Sequence, residues 1–263
     1  MKITVLAENT PYSSEFAYEH GLCIYIETAN HKILFDTGQS GIFADNAEKL
    51  GVDLGAVDIA VLSHGHYDHG GGIKRFFEIN DRAPLYLNIN AFGQYYNASG
   101  KYIGLDTSLA GNSRLFFTDD NCHIDDELEL CTCNRRDRKY PTDSAGLTVR
   151  TESGFEPDSF PHEQYLIIHD GNRRIVLSGC SHKGILNITE WLNPDILIGG
   201  FHFMKQELTE AGTPVIDNAI CLLSKSDTVY YTCHCTGVEQ YRYMKNKMGE
   251  KLYYLASGLT IRI

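Results

Sequence analysis

The stretch Ser63-His-Gly-His-Tyr-Asp-His-Gly-Gly-Gly72 carries the most information in this sequence. Its first half places three imidazoles and one carboxylate within the six residues from His64 to His69. The apolar run Val57-Asp-Ile-Ala-Val-Leu62 directly before it is typical of a buried strand. The glycines that follow allow tight backbone and lead into a predicted helix from Ile73. A histidine-rich surface loop would not require this frame, so we interpret the stretch as a metal-binding loop.

The spacing within this loop predicts two metal ions. Residues two apart on a loop that leaves a strand can point the same way, so His64 and His66 would bind one ion. Asp68 and His69 would turn toward a second ion. Histidine nitrogens and carboxylate oxygens are ordinary ligands of zinc and related metals.

Composition limits the alternatives. The chain has 263 residues, of which 43% are hydrophobic and 22% charged, so disordered, collagen-like and coiled-coil classes are excluded. A net charge of −11 argues against a broad nucleic-acid surface, which requires clustered lysine and arginine. Eleven histidines and eight cysteines are a generous supply of metal ligands. Two dications would also make a locally positive pocket for an anionic small molecule.

The apolar runs bear on location. None approaches the roughly 20 residues of a membrane span, and the run before Glu8 is too short for the core of a signal peptide. We therefore expect a cytoplasmic protein with reduced cysteines and no membrane partner. A homo-oligomer remains open.

Further candidate ligands lie where predicted strands of the second half end. They are His162, Cys180, His202 and His234. Units of strand, ligand-bearing loop and helix recur in both halves, which predicts a single domain over 1–263 made of two similar halves. The polar segment from about Gly93 to Asp143 is predicted to be an insertion or covering region.

These motifs resemble the metallo-β-lactamase-fold hydrolases, whose metal motif is His-x-His-x-Asp-His after an early turn that bears an aspartate. Here Phe35-Asp-Thr-Gly38 matches the turn. Ser178-Gly-Cys-Ser-His-Lys-Gly184, Gly199-Gly-Phe-His202 and His234-Cys-Thr-Gly237 resemble the subgroup of 7,8-dihydropterin-6-methyl-4-(β-D-ribofuranosyl)aminobenzene-5′-phosphate synthases. The resemblance implies an α/β fold, a four-layer αββα sandwich with the metals at one sheet edge.

The resemblance also implies the remaining ligands. The third-motif histidine falls on His162 and the fifth on His234. Cys180 stands where the family usually has a bridging aspartate, and His182 is an alternative ligand two residues on. A thiolate is a soft ligand that favours zinc, with iron or manganese as further options.

Several residues are candidates for binding substrate. Ser181 and Lys183 open a helix, where free N–H groups suit a phosphate, although an ordinary helix cap by Ser181 is the equal alternative. Tyr102 and Arg114 would stack on a ring and contact an anion. His202 is predicted to donate to an oxyanion or leaving group.

Other residues receive more modest interpretations. Asp36 would either orient a metal-bound histidine or serve as a plain turn carboxylate. Cys131 and Cys133 are interpreted as a loop pair without function. The cysteines that flank His234, Cys233 and Cys235, are assigned to the core. The remaining histidines are assigned to the surface; they are His20, His31, His123 and His169.

The function that these expectations favour is metal-assisted hydrolysis by a metal-bound hydroxide. Bound zinc lowers the pKa of water from about 15.7 to about 7. Asp68 would orient that water, and His202 or His182 would assist the leaving group. The substrate would be a phosphate ester or a diphosphate-bearing small molecule, pterin-related by subgroup resemblance. Lactone or thioester hydrolysis, a di-iron redox protein and a non-catalytic metal sensor are the alternatives.

Overall fold

The computed structural model of the chain describes residues 1–209 and 213–263. The strands are, in chain order, β1 (Lys2–Ala7), β2 (Cys23–Glu27), β3 (Lys32–Phe35), β4 (Ile59–Val61), β5 (Leu85–Asn88), β6 (Tyr95–Tyr96), β7 (Leu115–Thr118), β8 (Asn121–His123), β9 (Leu128–Cys131), β10 (Thr148–Thr151), β11 (Gly154–Pro157), β12 (Tyr165–Asp170), β13 (Arg173–Ser178), β14 (Ile196–Gly199), β15 (Val229–Thr232), β16 (Leu252–Tyr254) and β17 (Thr260–Arg262).

The helices are α1 (Ile42–Lys49), α2 (Tyr67–Gly70), α3 (Ile73–Ile79), α4 (Ile185–Leu192), α5 (Thr213–Leu223) and α6 (Val238–Met248). Short 3₁₀ turns lie at Leu54–Ala56, Thr107–Leu109, His234–Thr236 and Gly249–Lys251. Among the described residues, none of these helices combines the length and the apolar character that crossing a membrane requires.

Two seven-stranded sheets face each other. Their strand orders are β17-β1-β2-β3-β4-β5-β7 and β16-β15-β14-β13-β12-β9-β8. The sheets pack through an apolar core that includes Ile24 and Phe35 of the first and Leu166 and Leu177 of the second. Strands buried on both faces are apolar throughout, as β14 shows.

Helices cover the outer faces of both sheets. On the first sheet, α1 packs through Phe43 and α3 through Phe76. On the second sheet, α4, α5 and α6 pack through Ile188, Ile220 and Met244. These layers confirm the predicted αββα sandwich.

Most of the polar segment from Gly93 to Asp143 is not the insertion or covering region that the sequence predicted. Its strand β7 pairs with β5 and extends the first sheet, whereas β8 and β9 extend the second. Only β6 belongs to the small covering sheet, whose order is β11-β10-β6. The segment therefore links the two sheets. Its edge strands are partly exposed, as Phe116 and Phe117 of β7 show, so they lack the long apolar runs by which buried strands are recognised.

The topology gathers the chemically important loops at one edge. In the second sheet, β13, β14 and β15 are parallel neighbours. Their carboxyl ends lead directly to Cys180, His202 and His234. In the first sheet, β4 is parallel to β3 and leads into the loop that begins at Ser63. Carboxyl ends of parallel strands meet at the same edge of a sheet, which is why ligands from distant parts of the sequence converge.

Candidate metal centre

Three imidazoles form the first ligand group. The ligand nitrogens of His64, His66 and His182 lie within 4.8 Å of one another. His64 Nε2 and His182 Nε2 are 3.3 Å apart, and buried His66 Nε2 has no hydrogen-bond partner among the described residues. Burial and the neighbouring imidazoles lower the pKa of His66 to about 3 and also lower those of His64 and His182. Neutral imidazoles that direct nitrogen atoms at one another suit a cation.

The second ligand group surrounds Asp68. His234 Nε2 lies 3.3 Å from Asp68 Oδ2 and 3.2 Å from His69 Nε2. The Cys180 thiol sulfur lies 3.3 Å from the same His69 nitrogen. His20 Nε2 approaches Asp68 Oδ2 from the open side at 3.3 Å. Burial lowers the pKa of His234 to about 4, so this imidazole is also neutral near pH 7.

The two groups adjoin each other. The rings of His64 and His69 have centroids 4.1 Å apart. Their donors are imidazole nitrogens, one carboxylate and one thiol, which is the ligand chemistry of divalent transition metals. With the unpartnered His66 nitrogen, this donor set fits bound divalent metal.

A buried carboxylate orients the second group. Asp36 Oδ2 lies 2.7 Å from His69 Nδ1, and the same carboxylate accepts from the Ser63 backbone N–H at 2.7 Å and from the Ser63 hydroxyl at 2.8 Å. Holding Nδ1–H in this way leaves His69 Nε2 free as a ligand. On the other side of the site, the Asn9 side-chain oxygen lies 2.8 Å from His234 Nδ1. Of the two interpretations of Asp36, the geometry supports the orienting role.

Substituting asparagine for Asp36 should weaken metal binding by about 10- to 100-fold, because the amide no longer holds the His69 tautomer with a charged acceptor. Competition against a chromophoric chelator measures the affinity. The matched control is Asp125→Asn, since Asp125 Oδ2 contacts His31 at 2.7 Å, away from the ligand groups. Equal affinities of Asp36→Asn and the unmodified protein would contradict the orienting role.

Two cavities open beside the ligand groups. One, of about 250 Å³, is lined mainly by polar residues, among them His20, Asp68 and Lys205. The other, of about 490 Å³, has largely apolar walls that include Ile185 and Phe201. His182 and His202 line both cavities, and their ring centroids are 4.4 Å apart. His202 therefore lies where the predicted pocket role requires it.

Residues 18–216 match the family model of the metallo-beta-lactamase superfamily. The chain belongs to this superfamily. A crystal structure described as a metal-dependent hydrolase of the beta-lactamase superfamily superimposes with a TM-score of 0.83 at 27% identity, covering 100% of this chain and 99% of the other. The metallo-β-lactamase assignment made from the sequence motifs is thus confirmed.

Two proteins from Methanocaldococcus jannaschii are similar in sequence to this chain. An uncharacterized protein is 29% identical over an alignment of 245 residues that covers 89% of this chain and 90% of the relative. The second is 27% identical over 300 residues, covering 100% of this chain and 96% of the relative. It is named 7,8-dihydropterin-6-methyl-4-(beta-D-ribofuranosyl)-aminobenzene-5'-phosphate synthase.

His162, which the superfamily resemblance implied as a ligand, lies outside the two ligand groups described above. It lies near His66 and Asp158, but both its ring nitrogens are engaged. Nδ1 accepts the Gly65 backbone N–H at 2.9 Å, and Nε2 lies 3.0 Å from Asp158 Oδ2. The structure places His182 in the group with His64 and places His162 in a separate group that could hold a metal, with His66 and Asp158. His162 fixes the backbone of the metal loop.

The predicted phosphate site at Ser181 and Lys183 is also corrected. The Glu163 carboxylate already accepts the backbone N–H groups of His182 at 2.7 Å and of Lys183 at 3.0 Å. The buried Lys183 ammonium donates to the carbonyls of Thr132 and Glu163, and burial lowers its pKa to about 8. Ser181 Oγ pairs with Ser178 Oγ, and Gly184 rather than Ser181 caps α4. A carboxylate of the protein itself thus occupies the place predicted for phosphate.

Tyr102 and Arg114 serve local structure rather than the cavities. The Tyr102 hydroxyl donates to the Leu105 carbonyl at 2.9 Å. The Arg114 guanidinium donates to the Ala83 carbonyl at 2.7 Å and lies 4.2 Å from the centroid of the Phe77 ring. Neither side chain lines the cavities beside the metal ligands. The structure therefore does not bring either of these predicted substrate contacts to the candidate site.

Sequence reasoning missed His20 and Cys235. His20 follows β1 on a long loop, which the backbone bond from Leu22 N–H to the Asp68 carbonyl ties to the metal loop. Cys235 was assigned to the core, and it is buried, but it lies in a 3₁₀ turn next to His234 and its thiol donates to the Cys180 carbonyl at 3.4 Å. Cys233 is buried in the core as predicted.

Gly65 lets the metal loop pass close to its neighbour. A Cβ at this position would lie 2.1 Å from the Ala91 carbonyl oxygen. Gly65→Ala should therefore lower the free energy of unfolding by about 1–3 kcal/mol through overpacking, as measured by urea denaturation. The control is Gly111→Ala, because a Cβ at Gly111 meets nothing within 4 Å. Equal urea midpoints of unfolding for the two variants would contradict the close approach of Gly65 to the Ala91 carbonyl.

Proposed function

We propose that this chain is a hydrolase that uses two divalent metal ions, zinc first, on a phosphate ester or diphosphate-bearing small molecule. The observation that carries the proposal is the convergence of two adjoining sets of candidate ligands beside a polar cavity. One set is His64, His66 and His182, and the other is Asp68, His69, Cys180 and His234, whose donor atoms lie 3.2–3.3 Å from one another in a chain of contacts. Membership of a superfamily in which metal-dependent hydrolases occur supports it.

The choice of zinc rests on the ligands. Imidazole and thiol donors favour zinc over magnesium or manganese. When bound, zinc would polarise the bond under attack and lower the pKa of water to about 7. A pair of dications would also explain how a chain with a net charge of −11 attracts an anion.

The residues of the chain have separate roles in this proposal. The Asp68 carboxylate, held by His234 and His20, would orient the attacking water and accept its proton. Burial lowers the pKa of His202, so that side chain would offer a neutral N–H to the leaving group. It stands between the polar and the apolar cavity, where the scissile bond would lie.

The two cavities suggest where the two parts of a substrate would bind. Its anionic part would occupy the polar cavity beside Lys205, and an organic part would lie in the apolar cavity against Ile185 and Phe201. The product in the name of the 27% identical relative carries a phosphate and aromatic rings, which supports a pterin-related phosphate compound. We also propose a cytoplasmic location, because reducing compartments maintain free thiols like those of the eight cysteines.

Metal analysis and turnover of the purified protein test this function. We expect two zinc ions per chain and hydrolysis of bis-p-nitrophenyl phosphate that a chelator abolishes and added zinc restores. Lactone and thioester substrates are assayed in parallel. Faster turnover of either would overturn the phosphate assignment, and coloured iron with no hydrolysis would favour the redox alternative. Bound metal without turnover of any substrate would favour a sensor.

A further inference from the structure

A cysteine pair lies on the second sheet, away from the metal ligands. Cys131 is the last residue of β9 and is 8% exposed, while Cys133 is partly buried two residues later. Their sulfur atoms are 3.9 Å apart. The sequence alone gave no reason to regard this pair as more than a loop feature. The structure shows two thiols that face each other.

The backbone between the thiols is held on both sides. Thr132 donates its N–H to the Asp120 carbonyl at 2.8 Å and its hydroxyl to the Asp120 carboxylate at 2.9 Å. The Asn134 N–H donates to the Thr132 hydroxyl at 3.1 Å. The Cys133 carbonyl accepts from the Arg136 N–H at 3.1 Å, and Cys133 itself has a left-handed φ of 56°. This turn keeps the two side chains together.

The pair is accessible from a cavity of its own. This cavity, of about 350 Å³, is lined by both cysteines together with Arg136, Arg174 and Trp191. It shares no lining residue with the two cavities beside the metal ligands. A small oxidant could therefore reach the thiols without passing the metal centre.

The surroundings make the two sulfurs chemically unequal. The hydrogen bond with Cys131 lowers the pKa of Cys133, and although burial raises it, the positive charges of Arg136 and Lys183 lower it further. The same hydrogen bond, together with burial, raises the pKa of Cys131. Thiolates are the nucleophilic form of cysteine, so Cys133 is the sulfur suited to attack and Cys131 the one suited to resolve.

We propose that Cys131 and Cys133 form a redox site that small hydroperoxides oxidise to an intramolecular disulfide. Cys133 attacks a peroxide oxygen, the O–O bond breaks, and Cys133 becomes a sulfenic acid as water or an alcohol leaves. The Cys131 sulfur then attacks the sulfenic sulfur, the S–S bond forms and a second water leaves. The two thiols lose two electrons and the peroxide gains them. The sulfurs approach from 3.9 Å to about 2.05 Å.

The chain carries its own reporter for this reaction. Trp191 is the sole tryptophan in the sequence, and it lines the same cavity as the thiols. A disulfide accepts an electron from an excited indole, so the oxidised form should fluoresce less. The proposal does not depend on the hydrolase function, because neither sulfur belongs to the ligand groups.

The test treats the reduced full chain with a stoichiometric amount of hydrogen peroxide and then alkylates the remaining thiols under denaturing conditions. We expect mass spectrometry to show a Cys131–Cys133 disulfide, with a fall in Trp191 fluorescence that a reductant reverses. Cys133→Ser should lose both signals. Cys131→Ser should stop at the sulfenic acid, which dimedone traps on Cys133.

Two matched variants serve as controls. Cys122→Ser removes a thiol of the same tryptic peptide, and Cys221→Ser removes an exposed thiol on α5. Both should keep the disulfide and the fluorescence change. The proposal is overturned if, in the unmodified protein, Cys131 and Cys133 stay fully alkylatable while Cys221 is oxidised. It is equally overturned if the disulfide joins Cys122 to either of them.

Discussion

His66→Ala should lower the turnover of bis-p-nitrophenyl phosphate by at least about 100-fold. Loss of a residue that only hydrogen-bonds a metal ligand lowers metal affinity or activity by up to about 100-fold, and loss of a ligand itself should cost at least as much. The imidazole that is removed belongs to the group with His64 and His182, and its Nε2 has no hydrogen-bond partner among the described residues. The substitution therefore removes a candidate metal ligand without breaking a hydrogen bond at that atom. Steady-state kinetics with zinc supplied in excess measure the effect.

The matched control is His123→Ala, which removes an exposed histidine at the end of β8. It should keep the turnover of the unmodified protein. The circular dichroism spectrum of His66→Ala should match that of the unmodified protein. The backbone of the loop around His66 is held by other contacts, such as the hydrogen bond from the Gly65 N–H to His162 Nδ1. Unchanged turnover of phosphodiester, lactone and thioester substrates by His66→Ala would rule out the hydrolase proposal.

The core of the site could be predicted because its information is local. The residues from His64 to His69 lie on one short loop and the turn of helix α2 that follows it, and a buried strand before them fixes where that loop begins. Cys180 and His234 could be predicted for a topological reason, since parallel strands end at a common edge. The hydrophobic pattern of β13, β14 and β15 was sufficient to place those ends.

The prediction of a phosphate site at Ser181 and Lys183 failed because it depends on which polar group of the protein already binds the backbone N–H groups there. Nothing in the spacing of Lys183 shows that the Glu163 carboxylate accepts the N–H groups before α4. His20 was missed because its approach to Asp68 depends on how the loop after β1 folds back over the metal loop. A local pattern cannot encode a contact between loops that are far apart in the sequence.

His162 and His182 differ in their hydrogen bonds and ring contacts. His182 stacks on Phe160 with ring centroids 4.2 Å apart, which turns its Nε2 toward His64. The two ring nitrogens of His162 contact the Gly65 N–H and the Asp158 carboxylate instead. Both histidines are buried and lie near strand ends, so the sequence could not distinguish them.

A pair of substitutions should separate their roles. His182→Ala should weaken zinc binding at one site by at least about 100-fold, because the first group keeps only His64 and His66. His162→Ala should retain both zinc ions but lose about 1–3 kcal/mol of unfolding free energy, since the buried Gly65 N–H and Asp158 carboxylate lose their partner. Chelator competition measures the affinities, and urea denaturation of the metal-free proteins measures the stabilities. If His162→Ala loses the zinc ion and His182→Ala retains it, the ligand is the residue that the superfamily resemblance implied. In that case, the contacts of His162 with Gly65 and Asp158 cannot both persist in the metal-bound protein.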